Sequence, residues 1–372
     1  MRVLSEADVK RCLPISVAIA ANRKALSSLL STEDGGASVP TRIGLPYHSK
    51  ESSSATTPAD WSLFKPAAYY PPRQGNSENS DTDNEILMGL KVVSPRANNA
   101  MKNKPTCPAT IMLLNAETGE TSAVVAATYL TAARTAAGSA LATEMACPNS
   151  ADGSGLTLVV FGAGLQIELH IKAIQHVVSV KKVVIVNRSK ERAEKLKVSL
   201  LSIDDTEIEL NSKTRNPIKD ISIVLLSDTE AVKEAVERAD VIATATNTCK
   251  PLFSGDWPKP GCHINGVGSY TPLMKEIDDA LVKRCEVLID TKEALDVGDL
   301  SSLRNDDGTT NQNLSGLIGD ALVGNVEFGK RRDNNFDCTF FKSVGTAIQD
   351  VVTAQFVYDY ARKEGIGTSF DM

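Results

Sequence analysis

The chain has 372 residues, 42% of them hydrophobic and 23% charged, with a formal net charge of −6. This is ordinary globular composition, long enough for two domains, and its acidic balance argues against nucleic acid or an anionic membrane surface as the main partner. No apolar run approaches the roughly 18 residues of a membrane span, and the first ten residues lack the apolar core of a signal peptide, so the expectation is a soluble, cytoplasmic protein.

In chain order, residues 7–30 carry apolar side chains at helical spacing, and 38–45 reads as extended. From 49 to 85 the chain is rich in Ser, Pro, Asn and Asp and reads as a long loop or insertion. Within it, residues 61–70 are apolar and aromatic enough to pair as a strand with 87–94. The runs 111–115 and 122–126, joined through Glu117-Thr118-Gly119-Glu120, form a hairpin pattern. Residues 131–145 are almost all Ala, Thr and Leu, as in a tightly packed helix.

Next comes a phosphate-cradle pattern. A strand over 156–161 runs into Gly162-Ala163-Gly164-Leu165-Gln166 and then helical sequence. Gly162 permits a tight turn, and Gly164 lets backbone N–H groups approach a pyrophosphate at the positive end of the following helix. The third glycine of the full fingerprint is replaced by Ile167. Further short apolar strands at 182–186, 221–226, 241–245, 263–267 and 287–289, separated by helical stretches such as 190–201 and 230–237, indicate a doubly wound parallel sheet covered on both faces. The second strand ends in Asn187-Arg188-Ser189 with no carboxylate. Arg188 offers a donor fork and Ser189 a hydroxyl to a 2′-phosphate, which favours NADP(H), with NAD(H) as the second reading. Residues 343–365 read as one helix that returns to the first region.

Seven scattered cysteines without a C-x-x-C pair suit a reducing compartment, and neither they nor the four histidines have metal-ligand spacing, so no metal is expected. Three cations stand in apolar or extended settings: Arg42 after Val39-Pro40-Thr41, Lys91 in Gly89-Leu90-Lys91-Val92-Val93, and Arg134 in Leu130-Thr131-Ala132-Ala133-Arg134-Thr135. A charge within an Ala/Thr helix is expensive to bury unpaired, and together the three cations suggest a small carboxylate-bearing substrate.

These segments, with His263-Ile264-Asn265-Gly266-Val267-Gly268-Ser269 and Ser343-Val344-Gly345, occur in the order found in the ornithine cyclodeaminase and mu-crystallin family, which the chain resembles over nearly its whole length. The resemblance implies a homodimer. It implies an α+β substrate-binding and dimerisation domain, taken as 1–148 with 325–372, beside a Rossmann domain at 149–324. It also implies that Arg42, Lys91 and Arg134 bind the substrate carboxylate. Cofactor contacts are assigned to Thr135, Gly162, Ala163, Gly164, Leu165, Gln166, Asn187, Arg188, Ser189, Thr246, Asn247, Val267, Gly268, Ser269 and Val344. The family's cyclodeaminases carry a catalytic aspartate in the loop after the fifth Rossmann strand, where this chain has Tyr270 in Gly268-Ser269-Tyr270-Thr271-Pro272. Tyr270 and the segment 61–66 are assigned to the substrate's side-chain end.

The first expectation is therefore an NADP(H)-dependent oxidoreductase acting on the C–N bond of a small imino or amino acid, with Lys91 or an ordered water supplying the imine proton. Two alternatives share the cofactor site: ornithine cyclodeaminase, which releases ammonia and recycles its cofactor, and an NADPH-dependent binding protein of mu-crystallin type.

Overall fold

The computed structural model describes residues 1–29, 35–46, 61–72, 85–147, 155–202, 218, 220–304, 309–329 and 336–371. Most of the polar stretch at 49–85, and the expected domain boundary at 148, lie outside the described residues. The chain divides into two compact units, one of Met1–Arg134 with Thr346–Met372 and the other of Thr135–Gly345.

The first unit begins with β1 (Arg2–Leu4), α1 (Glu6–Cys12), α2 (Ile15–Ser27), β2 (Gly36–Ser38), β3 (Ile43–Pro46), β4 (Trp61–Tyr70), β5 (Leu87–Val93), β6 (Ala109–Leu114), β7 (Thr121–Ala126) and the first part of α3 (Thr128–Ala146). The second comprises the rest of α3, then β8 (Leu156–Phe161), α4 (Leu165–Val177), β9 (Val180–Asn187), α5 (Lys190–Leu201), β10 (Asp220–Leu225), α6 (Thr229–Arg238), β11 (Val241–Thr244), β12 (His263–Gly266), α7 (Asp279–Arg284), β13 (Cys285–Ile289), β14 (Leu314–Leu317), α8 (Ile318–Leu322) and β15 (Cys338–Lys342). The chain then rejoins the first unit through α9 (Ala347–Lys363) and β16 (Thr368–Ser369).

The single helix expected over 7–30 is two helices. Pro14 has no N–H to continue α1, and Leu13 before it adopts φ −126°, ψ 71° as the residue preceding a proline must leave the helical region. A capping box between Ser5 and Asp8 fixes the start of α1.

The first unit's sheet has the order β16-β1-β7-β6-β5-β4-β2, with β3 paired to β4. Strands β4 to β7 are antiparallel neighbours, and strand alternation sorts their side chains into two faces. Leu63, Ala67, Leu87, Ile111, Leu113, Ala123 and Val125 are buried on the face covered by α9. Gly89 admits that helix closely: a Cβ there would lie 3.1 Å from Val351 Cγ2 and 2.8 Å from Met112 O. The opposite face carries Phe64, Pro66, Leu90, Val92, Met112 and Val124, none fully buried.

The second unit's sheet is parallel throughout, with the order β10-β9-β8-β11-β12-β15-β13-β14. Six of its strands match the sequence pattern, and β14 and β15 are additional. Because β15 lies between β12 and β13, the chain returns to the first unit after residue 345 rather than at 325. Two buried histidines bind the interior. Ser139 Oγ lies 2.9 Å from His170 Nε2, while His170 Nδ1 donates to Gln166 O at 2.6 Å. His263 bridges Thr339 and Asn265, whose Nδ2 donates to Thr143 Oγ1 at 2.9 Å. Burial pushes both imidazoles down to about 4, so both are neutral. Among the described residues, no helix is long and apolar enough to cross a membrane.

Candidate active site

In the first unit a buried ionic cluster is built by four elements, β4, β5, α3 and α9. Lys65 on β4 and Lys91 on β5 stand directly opposite each other in the antiparallel register, both on the face covered by α9. Like charges so placed repel unless an anion lies between them. Asp350, in the first turn of α9, is that anion. Its Oδ1 accepts from Lys91 Nζ at 2.8 Å and from Arg134 Nε at 2.8 Å, and its Oδ2 lies 3.3 Å from Lys65 Nζ. Asp350 and Lys91 are fully buried, and Lys65 and Arg134 nearly so.

The helix start is itself locked. Gln349 accepts from Thr346 N and from Arg134 Nη1, and its Nε2 donates to Asn22 Oδ1 at 2.8 Å. Asn22 in turn donates to Ala18 O within α2. Arg134 and Gln349 are thus tied into one polar web in an otherwise apolar core, while among the described residues Asp350 Oδ2 has a charge contact with Lys65 but no hydrogen-bond partner. The cations around Asp350 hold its carboxyl below the usual carboxylate range although burial opposes this. Burial brings Lys91 down to about 7 against the raising effect of Asp350, and it lowers Lys65 as well. A buried ammonium that titrates near neutrality can hold a proton and give it up within the working pH range.

Arg42, half-buried in the connection before β3, lies close enough to Lys65 to lower its proton affinity. The described residues therefore place three cations, Lys65, Lys91 and Arg134, around one carboxylate, with Arg42 near Lys65. That is an anion-binding chemistry.

In the second unit, Gly162 closes β8 with φ +119°, and a Cβ there would meet Ala245 O at 3.1 Å and Ile167 Cγ1 at 3.2 Å. The chain's own packing requires this glycine. Gly164 differs: it is in extended backbone, and no atom of the chain lies within 4 Å of where its Cβ would be. Nothing internal demands a glycine there, whereas an approaching pyrophosphate would. Gly164 also caps α4 without a side-chain acceptor, leaving the positive end of that helix for an outside anion. These features fit a dinucleotide. Ile167, at the missing third glycine, is fully buried against Gly162.

At the end of β9, Asn187 Nδ2 donates to Ser189 O at 2.8 Å, and Ser189 Oγ accepts from Arg192 N as the cap of α5. Arg188 is exposed. The later loops are less simple than the sequence assignment. The backbone N–H groups of Thr246 and Gly268 are both taken by Glu276, and Ser269 Oγ is buried and donates to Met274 O. These three residues can meet a cofactor only through their remaining groups. Val344 N donates to Asp290, which also receives Ser343 Oγ and Gly345 N. Asn247 is exposed, Val267 and Tyr270 are half-buried, and Thr135 is buried in α3.

The structure thus brings together Lys91 and Arg134, which the sequence singled out, with Lys65, which it included only within the segment 61–66 assigned to the substrate's side-chain end, and Asp350, which it did not name. The signal that marks Lys65 itself is its register opposite Lys91. Asp350 was hidden in the first turn of a helix whose neighbouring residues are largely apolar, where a buried carboxylate is the mirror of the buried Arg134.

Comparison with known proteins gives a consistent answer. The ornithine cyclodeaminase/mu-crystallin family model matches residues 78–231 and 226–365. An uncharacterised cyclodeaminase of Dictyostelium discoideum is 30% identical over 388 residues, covering 100% of both chains. The ketimine reductase mu-crystallin of Macropus fuliginosus is 30% identical over 359 residues, 96% of each chain. Among solved structures, the Δ1-pyrroline-2-carboxylate reductase of Thermococcus litoralis, in complex with NADH and L-proline, superposes with a TM-score of 0.78 at 26% identity over 100% of both chains. The chain belongs to the ornithine cyclodeaminase/mu-crystallin family.

Proposed function

We propose that the protein is an NADPH-dependent reductase of small imino acids, carrying hydride to the carbon of a C=N bond that bears a carboxylate. The observation that carries this reading is the buried group of cations around Asp350, in a chain whose second unit fits a dinucleotide. Relatives named for ketimine and pyrroline-carboxylate reduction support it. The nicotinamide, when bound, supplies the hydride. Arg134 and Arg42 bind and orient the substrate carboxylate, and Asp350 holds Lys91 and Arg134 in place through its shared Oδ1. Lys91 supplies the proton that the imine nitrogen takes up as its carbon is reduced. Arg188, exposed beyond β9 with no carboxylate at that strand tip, supports NADPH over NADH.

In the loop after β12, the lyase alternative finds no unengaged carboxylate for its amine. The stretch 268–279 supplies three carboxylates, and all are engaged. Glu276 is buried among four donors, Asp278 caps α7 and accepts from Gly255 N, and Asp279 pairs with Lys275 at 2.7 Å. By the family resemblance, Tyr270 takes the place of those enzymes' aspartate.

The test is NADPH consumption by purified protein across cyclic ketimine carboxylates of different ring size and linear 2-oxo acids with amine. Turnover of at least one supports the reading. Conversion of ornithine to proline and ammonia with no net change in NADPH would replace it.

The same proposal includes a homodimer formed through the outer face of the first unit's sheet. Across register-paired strands, Pro66, Leu90, Met112 and Val124 form one continuous apolar row, flanked by Phe64 and Val92. Met88 and Met112 are 37% and 39% exposed there, more than an isolated chain gains by presenting to water. Light scattering should give a dimer for the parent and a monomer for Met112→Asp, and a monomeric parent refutes the assignment.

A further inference from the structure

Strands β11 and β12 are parallel neighbours, with Thr244 in register with Gly266, so the loops that follow leave the sheet side by side at its carboxyl edge. That edge is where doubly wound sheets take their nucleotides. The loop after β12 then turns back and places Glu276, fully buried, beneath both. Its Oε1 accepts from Thr246 N at 2.6 Å and Thr246 Oγ1 at 2.7 Å, and its Oε2 accepts from Thr244 Oγ1 at 2.8 Å and Gly268 N at 2.6 Å. The two backbone partners can only donate, so each carboxyl oxygen of Glu276 accepts at least one hydrogen bond from a backbone N–H.

The group is braced from behind. Glu276 N and Ile277 N donate to Asp299 Oδ1, and Asp299 Oδ2 pairs with Lys342 Nζ at 2.9 Å, all within the interior. A Cβ on Gly268 would overlap Thr246 O and Glu276 Oε1, so the loops touch as closely as backbones can. Burying a carboxylate is costly unless its oxygens find donors. An ordinary turn pair needs no such expense, since water or a neighbouring strand satisfies its N–H groups. What the carboxylate adds is a fixed distance between two loops.

We infer that Glu276 is a positioning residue for the nicotinamide half of the cofactor, setting the separation of the Thr246–Asn247 and Val267–Ser269 loops that receive it. The inference rests on the reading of this unit as the dinucleotide-binding one. It also explains why Thr246 and Gly268 have no N–H left for the cofactor. The adenosine half, at Gly162–Gly164 and Arg188, lies on other strands and does not depend on Glu276.

The two halves can be separated by ligand. NADPH binds through both, whereas 2′-phospho-ADP-ribose lacks the nicotinamide ring. Glu276→Gln keeps the side chain's shape but turns an amide N–H2 toward donors. Titrated by calorimetry, it should bind NADPH at least about tenfold more weakly than the parent and 2′-phospho-ADP-ribose within about twofold. Thr246→Val, a milder change that removes one donor, should weaken NADPH about threefold and leave the fragment unchanged, while Thr246→Ser behaves as the parent. Equal weakening of both ligands in a folded variant, or no weakening of NADPH, overturns the inference and leaves the cofactor reading intact. A parent that binds neither ligand overturns both.

Discussion

Asp350 is the only carboxylate among the described residues that meets Lys65, Lys91 and Arg134, so Asp350→Asn asks how much the cluster depends on it. The change is nearly isosteric, which removes any cavity effect. It removes the counter-charge that Arg134 and the two lysines share in a nearly fully buried site, and it aims an amide N–H2 at cations. Removing one partner of a buried ion pair costs about 3–5 kcal/mol. With two contacts at 2.8 Å and one at 3.3 Å, the upper part of that range is expected at pH 6. The cost should shrink as pH rises. Folded Lys91 binds its proton near pH 7, unfolded Lys91 near 10.5, so the unfolded chain holds more protons between these values and parental stability rises across that window. Above about pH 7 Lys91 is neutral in the folded parent, and its charged contact with Asp350, about 1.5–3 kcal/mol, is no longer there to lose. Urea unfolding of parent and variant at pH 6 and pH 9 reads both quantities. A loss below about 1 kcal/mol at pH 6, or a loss that grows with pH, would show that the cluster is not the closed ionic unit described.

Three other outcomes follow from the same structure. Imine reduction at saturating NADPH should fall as pH rises above about 7, because Lys91 must be protonated to act, and Lys91→Met should abolish that limb of the pH–rate profile along with most of the rate. Gly164→Val should leave urea stability within about 1 kcal/mol of the parent, since nothing in the chain occupies the space of its Cβ, yet prevent NADPH binding by calorimetry; unimpaired binding would refute the cradle. Arg188→Ala should raise the KM for NADPH about tenfold or more and barely change that for NADH, whereas equal effects on both would mean that Arg188 does not read the 2′-phosphate.

Much of this was legible because it depends on local pattern. The β8 turn, the alternation of short apolar strands and helices, the β4–β5 pairing and the β6–β7 hairpin all follow from periodicity and turn residues close in sequence. The hairpin shows why: Gly119 at φ +74° and Asn115 Oδ1, accepting from Glu117 N and Thr118 N, settle that turn within a few residues. What was not legible depends on pairing over long separations. Strand β15 lies between β12 and β13, a placement far from either in sequence that only the pairing with those neighbours reveals. Lys65 acquires meaning only from the register that sets it against Lys91, and Asp350 only from α9 lying over both, more than two hundred residues later in the chain. The assignment of Thr246 and Gly268 as direct cofactor donors missed Glu276 because a glutamate eight residues beyond a glycine carries no signature of its own.

The central claim is that hydride passes from the reduced nicotinamide to the carboxylate-bearing carbon of an imine. The most direct test is to supply NADPH deuterated at the reactive ring carbon with a cyclic ketimine carboxylate and to examine the amino acid formed by mass spectrometry and NMR. One deuterium at the α-carbon, with one NADPH consumed per product, is the result the account predicts. Product without deuterium there, or a protein that binds NADPH and the carboxylate but forms no product, would contradict it.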